Sequence, residues 1–573
     1  MKNTLKLLIS VGILIIFISV SIFVSDAVSS VDYFNEGNSL LNSGKTEEAI
    51  QSYNKAIELN SEIPEYHYNK GVALLQLGKY DEAIVSFDSS IKLAPKFKEP
   101  YINKIVCLLQ TNKAEEALET SDKCLEFYPN DSYTYILKGC ALNILKRYEE
   151  VLDTSDKVIS LNPSENTVLS YAYSNKGAAL AWLRRYEDAF NACNKAIDLY
   201  NANTDAYLSM SFAYSLQRNY EKAIDMCDKV IEINPSSLDA YINKSSYLVY
   251  AERYEEAVEC CNKALEMDVL KSPYIESSLL ANKAGALASL NKAEEALAAT
   301  EKAIELCPEN SLAYANKGSA LDILGRYEEA LVFSNRAIGL DPTLGYAYSA
   351  KGHSLYMLKK YDEAIAACSK AIELNPEDIR ICVQCYSNIG ASLNGKGNYE
   401  EALENIDKAM EYEINDPNIL YSVYVNKAYA LTGLQKFEES LEYSNKAIEL
   451  NPQDCKGYVN KSSALIKLSK YDEAIECCNT AIESNIEDYL LYNNMGFALE
   501  KKGKLKQALQ AYSKSLALSP DNGLVKSNLL RALTWYNIKR VCLFLAIFSV
   551  IAAIIIIAVV QIIKKKKSQT ITP

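Results

Sequence analysis

An all-α solenoid of stacked helical hairpins, ending in a helix that crosses a membrane, is the architecture this sequence predicts. Three observations predict it. A short pattern recurs fourteen times along the chain, and its apolar residues fall at helical spacing. An uncharged apolar run, 541–563, is followed at once by Lys564, Lys565, Lys566 and Lys567.

The repeat is visible by eye. Tyr314-Ala-Asn-Lys-Gly318 matches Tyr173-Ser-Asn-Lys-Gly177 and Tyr241-Ile-Asn-Lys-Ser245. Each is followed by an apolar stretch, a polar break, and an acidic-Ala-apolar segment such as Tyr327-Glu-Glu-Ala-Leu331. The unit closes on Lys-Ala-Ile-Glu-Leu-Asn-Pro or a variant, as at 370–376. The central small residue recurs at Gly37, Gly71, Ile105, Gly139, Gly177, Ser211, Ser245, Ala284, Gly318, Gly352, Gly390, Ala428, Ser462 and Gly496, which numbers the repeats 1 to 14. Nine of the spacings are 34 residues, three are 38 and one is 39. Each unit reads as two amphipathic helices joined by a tight turn. Such a hairpin cannot bury its own apolar face, so the copies must stack. The insertions are close to one helical turn, which lengthens a helix without rotating its buried face.

These residues resemble the tetratricopeptide-repeat family over roughly 30–522. The family pattern has an aromatic at position 4, small residues at 8 and 20, an aromatic near 17, Ala at 27 and Pro at 32. With Pro64 as position 1, those slots hold His67, Gly71, Tyr80, Ala83, Ser90 and Pro95. Position 4 is mostly Tyr rather than Trp, and position 7 is mostly Lys (Lys176, Lys244, Lys317), read here as stems laid over an apolar seam. The resemblance implies a right-handed superhelix of about fourteen units with a ligand groove on its inner face.

The ends divide the chain further. Residues 1–27 read as a signal peptide or an N-terminal anchor: Leu7 to Val24 is uncharged, Lys2 and Lys6 precede it, and Ser25-Asp26-Ala27 follows. Residues 523–540 read as a capping and juxtamembrane helix, 541–563 as a transmembrane helix, and 564–573 as a basic cytoplasmic tail. The 23-residue run would extend about 34 Å as a helix, and Trp535 and Tyr536 sit where interfacial aromatics belong. The flanking lysines predict that both ends face the cytoplasm and the repeats lie outside it.

Composition excludes several functions. Net charge is −13, and setting aside the six tail lysines and Asp26 leaves 54 basic against 72 acidic groups. A surface about 18 charges negative repels phosphate backbones, so nucleic acid is not an expected partner. Two histidines leave little material for metal sites or acid–base chemistry. Cys193, Cys227, Cys261, Cys368 and Cys478 share position 24, an inward slot of the second helix, and read as packing residues. Cys382-x-x-Cys385 has zinc spacing but no second pair. His67 stands in a Tyr slot, and His353 falls on the inner face without a partner fixed by the sequence. No phosphate loop or nucleophile motif stands out, so no catalytic residue, metal or cofactor is expected.

Asparagine at position 6 is the pattern most suggestive of function. Eleven of the fourteen repeats carry it, and Asn is not a favoured helix-interior residue. Asn175, Asn243, Asn282, Asn316, Asn388, Asn426 and Asn460 are the candidate peptide-binding residues. One reading has them bond neighbouring helices. The other borrows from resembling family members, such as O-linked N-acetylglucosamine transferase, whose asparagine ladder grips peptide backbone. The expected function is a membrane-anchored scaffold that binds a protein or extended peptide. Two alternatives stand beside it: an accessory factor recruiting substrates to an envelope enzyme or secretion machinery, and a cytoplasmic tail-anchored co-chaperone. The latter's carboxylate clamp needs basic residues at position 5, where this chain has Phe34, Tyr68, Ile102, Ile136, Ser174, Leu208 and Ile242.

Overall fold

The computed structural model describes residues 29–267, 272–414 and 416–569, with side chains through 565; the N-terminal segment read as a signal or anchor lies outside them. Among the described residues there are 29 helices and no strand. Twenty-eight of them pair into fourteen hairpins, from Ser30–Asn42 with Thr46–Leu59 to Tyr489–Lys501 with Leu505–Leu518. The chain divides into two compact units, before and after residue 272, each a row of seven hairpins.

Within a hairpin the two helices meet where position 8 faces position 24, and the two slots trade volume. A side chain on Gly71 would come within 2.5 Å of the Phe87 ring, and one on Gly496 within 2.8 Å of Tyr512. Ile105, the one large residue at position 8, faces repeat 3's Ser121, and both are fully buried. Alanines at position 20, among them Ala83, Ala223, Ala330, Ala364 and Ala474, are also fully buried, which brings the helices close.

The turn inside each hairpin is a left-handed cap. Position 15 has positive φ in every repeat, but only five of these residues are glycine (Gly44, Gly78, Gly325, Gly397, Gly503). The next N–H returns to the carbonyl five residues back, as from Lys79 to Leu74 at 3.0 Å. Residues such as Arg184, Arg218 and Glu252 hold that conformation at a steric cost because the cap requires it.

The insertions do lengthen helices. First helices are mostly 13 residues, but Asn166–Trp182, Pro273–Ser289 and Pro417–Gly433 have 17 and Ile379–Lys396 has 18. Each long helix begins one turn earlier relative to its small residue. Contacts to the preceding repeat survive the added turn: Lys427 reaches Asp407 across 20 residues, as Lys138 reaches Asp122 across 16.

The last helix, Gly523–Gln569, is continuous from cap to apolar run. Val525, Asn528 and Ala532 are buried on the fourteenth repeat, and Asn528 donates to Asn493 at 2.9 Å. Beyond Ala532 the helix leaves the repeat, and almost every residue of 541–563 is exposed. It is long and apolar enough to cross a membrane.

Candidate protein-binding face

Positions 2, 6, 9 and 13 of a first helix are separated by four, three and four residues, so they share one side. That side is turned away from position 8, which packs on the second helix.

The asparagines on this side reach back to the repeat before. Asn175, Asn316 and Asn460 donate to the carbonyls of Ile136, Ala281 and Val425 at 3.0, 2.8 and 3.0 Å. Asn426 donates to the Ser387 hydroxyl at 3.2 Å. In every case the acceptor belongs to position 5 of the preceding first helix, whose carbonyl oxygen has a second lone pair to offer. Asn388 is buried and accepts from Gln384 at 3.3 Å. Asn175, Asn243, Asn282 and Asn426 are half-buried, whereas Asn316 and Asn460 are buried. The ladder thus ties helices together chiefly through its side-chain nitrogens.

The position-7 lysines are more than apolar stems. Lys138, Lys317 and Lys427 pair with Asp122, Glu301 and Asp407 at 2.6, 3.1 and 2.7 Å. The acid always stands at position 25 of the preceding repeat. Lys317 and Lys427 also lie over the rings of Phe333 and Tyr443, 4.6 and 4.4 Å from the centroids. Lys317 and Lys427 are therefore held between their own repeat's aromatic and their neighbour's carboxylate.

The open part of the face lies at position 13. In repeats 4 to 7 this slot holds Ile144, Trp182, Leu216 and Tyr250. Ile144, Trp182 and Tyr250 are 45, 48 and 40% exposed, while Leu216 is half-buried. Tyrosines at position 17 of the preceding repeat stack on two of them: Tyr148 on Trp182 (5.5 Å, 7°) and Tyr220 on Tyr250 (5.3 Å, 15°). Phe212 adds a further ring 4.5 Å from Trp182. The stacking fixes the rings without covering them. At the other end of the repeat-6 first helix, Asp205 is solvent-accessible, yet partial desolvation, then the charge of Asp239, raises its carboxyl pKa. The row was legible in principle, since position 13 lies seven residues after the asparagine, but only its exposure separates it from core.

The cysteines and histidines are accounted for by packing. Cys193, Cys227, Cys261, Cys368 and Cys478 are buried, and the sulfurs of Cys193 and Cys368 occupy the space left by Gly177 and Gly352. Burial pushes the thiols of Cys193, Cys227 and Cys478 up to about 12. Cys382 points at the carbonyls of Asn375 and Pro376, both at 3.5 Å, while Cys385 hydrogen-bonds with Cys368, so the two thiols do not converge. His67 repeats a bond made by the position-4 tyrosines. It meets the Ser61 carbonyl, six residues back, at 3.0 Å, as Tyr101 donates to that of Pro95 at 3.1 Å. His353 lies 3.5 Å from the buried Asp322 carboxylate, to which Ser354 also donates at 2.7 Å. Because serine and histidine both address the carboxylate, no serine–histidine relay is formed.

Family models for tetratricopeptide repeats match 64–97, 204–237, 238–268, 277–310, 299–332, 345–378, 382–412, 421–454, 456–485 and 489–522, and a further TPR-repeat model matches 37–78. Together these matches cover more than half of the sequence. The chain belongs to the tetratricopeptide-repeat family. No curated protein matches it. Among solved structures it is similar to a chain described as "Crystal structure of APC/C hetero-tetramer Cut9-Hcn1". The TM-score is 0.56 at 17% identity, covering 90% of this chain and 99% of that one. At that identity the likeness is one of fold. As a tetratricopeptide-repeat array the protein is a scaffold for protein–protein interaction, in a family whose members are typically not enzymes.

Proposed function

We propose that this tetratricopeptide-repeat protein holds an extended segment of another protein along its first-helix face, anchored to a membrane by its C-terminal helix. The observation that carries the reading is the row Ile144, Trp182, Leu216 and Tyr250. A repeat array gains nothing from exposing large apolar residues in register on three of four successive repeats, and such a row marks an interaction surface. First helices recur at roughly 9 Å and an extended chain advances about 3.3 Å per residue, so each repeat would meet every third ligand residue. Apolar side chains of the partner would enter between the stacked rings. The side-chain oxygens of Asn175 and Asn243 would accept backbone N–H groups of the same segment. Asn316, Asn388 and Asn460 would serve mainly by keeping the register of the helices.

The exposed apolar run 541–563 supports the anchor, and the lysines after it support a cytoplasmic tail with the repeats on the opposite side. Protease added to intact cells should then digest the repeats and spare an epitope placed after Lys567. Protection of the repeats, with a control surface protein digested, would reverse the orientation.

A further inference from the structure

We propose that the cleft between the fourteenth repeat and the C-terminal helix docks the headgroup of an anionic phospholipid; this rests on reading 541–563 as a membrane span. In most repeats a cation stands at position 16 and is matched by an acid three residues on; repeats 6 and 11 have Asn219 and Asn398 there. Arg147 meets Glu150 at 2.6 Å, Arg185 meets Asp188 at 2.8 Å, and Arg253 and Arg326 meet Glu256 and Glu329 at 2.7 Å. In the fourteenth repeat that pattern is replaced. Position 16 is Lys504, and the slots that hold acids in most other repeats hold Lys506 and Gln507, leaving this second helix with no acid in its first turn.

The C-terminal helix brings two more cations to the same place. Lys539 and Arg540 line the cleft with Lys504 and Lys506, and the Lys539 ammonium lies 3.8 Å from where a Cβ on Gly503 would stand. No carboxylate lines this cleft of about 780 Å³, and none of the four cations has an acidic partner among the described residues. The nearby acids are already engaged: Glu500 holds Arg531 at 3.0 Å, and Asp472 holds Lys502.

The far side of the cleft is apolar. Leu543 and Ala546, at the start of the apolar run, complete its wall. Four cations above an apolar strip complement an amphiphile whose phosphate is negative and whose chains continue into the bilayer. Gathered cations repel one another unless a counter-charge joins them, and a zwitterionic headgroup supplies no net charge. The position, at the boundary where the helix leaves the repeat, favours lipid over a soluble anion.

The test uses the full chain in vesicles of mixed phosphatidylcholine and phosphatidylglycerol. After detergent extraction, lipids retained by the protein are measured by mass spectrometry. The wild type should retain phosphatidylglycerol roughly fivefold over its bulk share. Lys506→Glu with Gln507→Glu restores the acids most other repeats carry, so it should leave the helical signal intact and abolish the enrichment. Equal enrichment in both proteins, or none in the wild type, would overturn the proposal. So would displacement of the lipid by millimolar inorganic phosphate, which would identify a site for free anions. Retention of the wild type on membranes after alkaline carbonate is scored separately: its loss sinks the anchor, whereas retention without enrichment sinks the lipid site alone.

Discussion

Repeats 4 to 7 and repeats 11 and 12 use the same pair of slots to opposite ends. In the first region Tyr148 and Tyr220 lie flat against Trp182 and Tyr250, which remain substantially exposed. In the second, position 13 is Gly395 and Gly433, and the tyrosines sit on the helix itself: a Cβ at either glycine would come within 2.5 Å of Tyr361 or Tyr399. The hairpins are otherwise alike. One residue per repeat therefore decides whether the position-17 ring stacks on an exposed aromatic or seats on the helix backbone. A repeat array can carry a local binding face without altering its scaffold.

The largest effect expected from this contrast is on binding. Trp182→Ala with Tyr250→Ala should weaken capture of the partner by about three orders of magnitude, since buried aromatic anchors each contribute about 2 kcal/mol at such interfaces. Circular dichroism should show the helices intact, and loss of helicity would instead make the row structural. Next comes Gly433→Ala, which forces the Tyr399 ring to move and should cost about 1–3 kcal/mol in a denaturant titration. A neutral result would mean the ring is not seated as described. Asn316→Ala should cost about 1 kcal/mol, because it removes the bond to the Ala281 carbonyl. Asn243→Ala, at a half-buried rung, should cost less stability and more binding. The smallest effect is a gain: Glu252→Gly relieves a left-handed backbone beside Tyr250 and should raise stability by about 0.5–1 kcal/mol with binding unchanged.

Much of the fold was legible because a solenoid writes its contacts periodically. The fourteen hairpins and their one-turn insertions followed from the spacing of Gly37 through Gly496. Repeats 3 to 5 show why this works even where family models give no match. Ile105 breaks the small-residue rule, but Ser121 opposite supplies the missing space. Contacts between repeats were harder to read, since they join residues 35 or 39 apart according to whether a turn has been inserted, as with Asn316 to Ala281 and Asn175 to Ile136. The lysines at position 7 were visible, but not that each would find an acid on the neighbouring second helix. The charge pattern around the apolar run is similar: in sequence Lys539 and Arg540 stand alone before it, whereas in space Lys504 and Lys506 join them.

The most direct test places one photocrosslinking residue, p-benzoylphenylalanine, at single sites in the full-length protein in its native membrane. Leu216 lies in the proposed face, Gly433 in the equivalent slot of repeat 12, and Val332 is 64% exposed on a second helix. The account predicts a discrete crosslinked protein band from position 216, lost on Trp182→Ala, with little from 332 or 433. Equal crosslinking from 216 and 332, or a band from 216 that survives Trp182→Ala, would contradict the claim that this row is where the protein binds its partner.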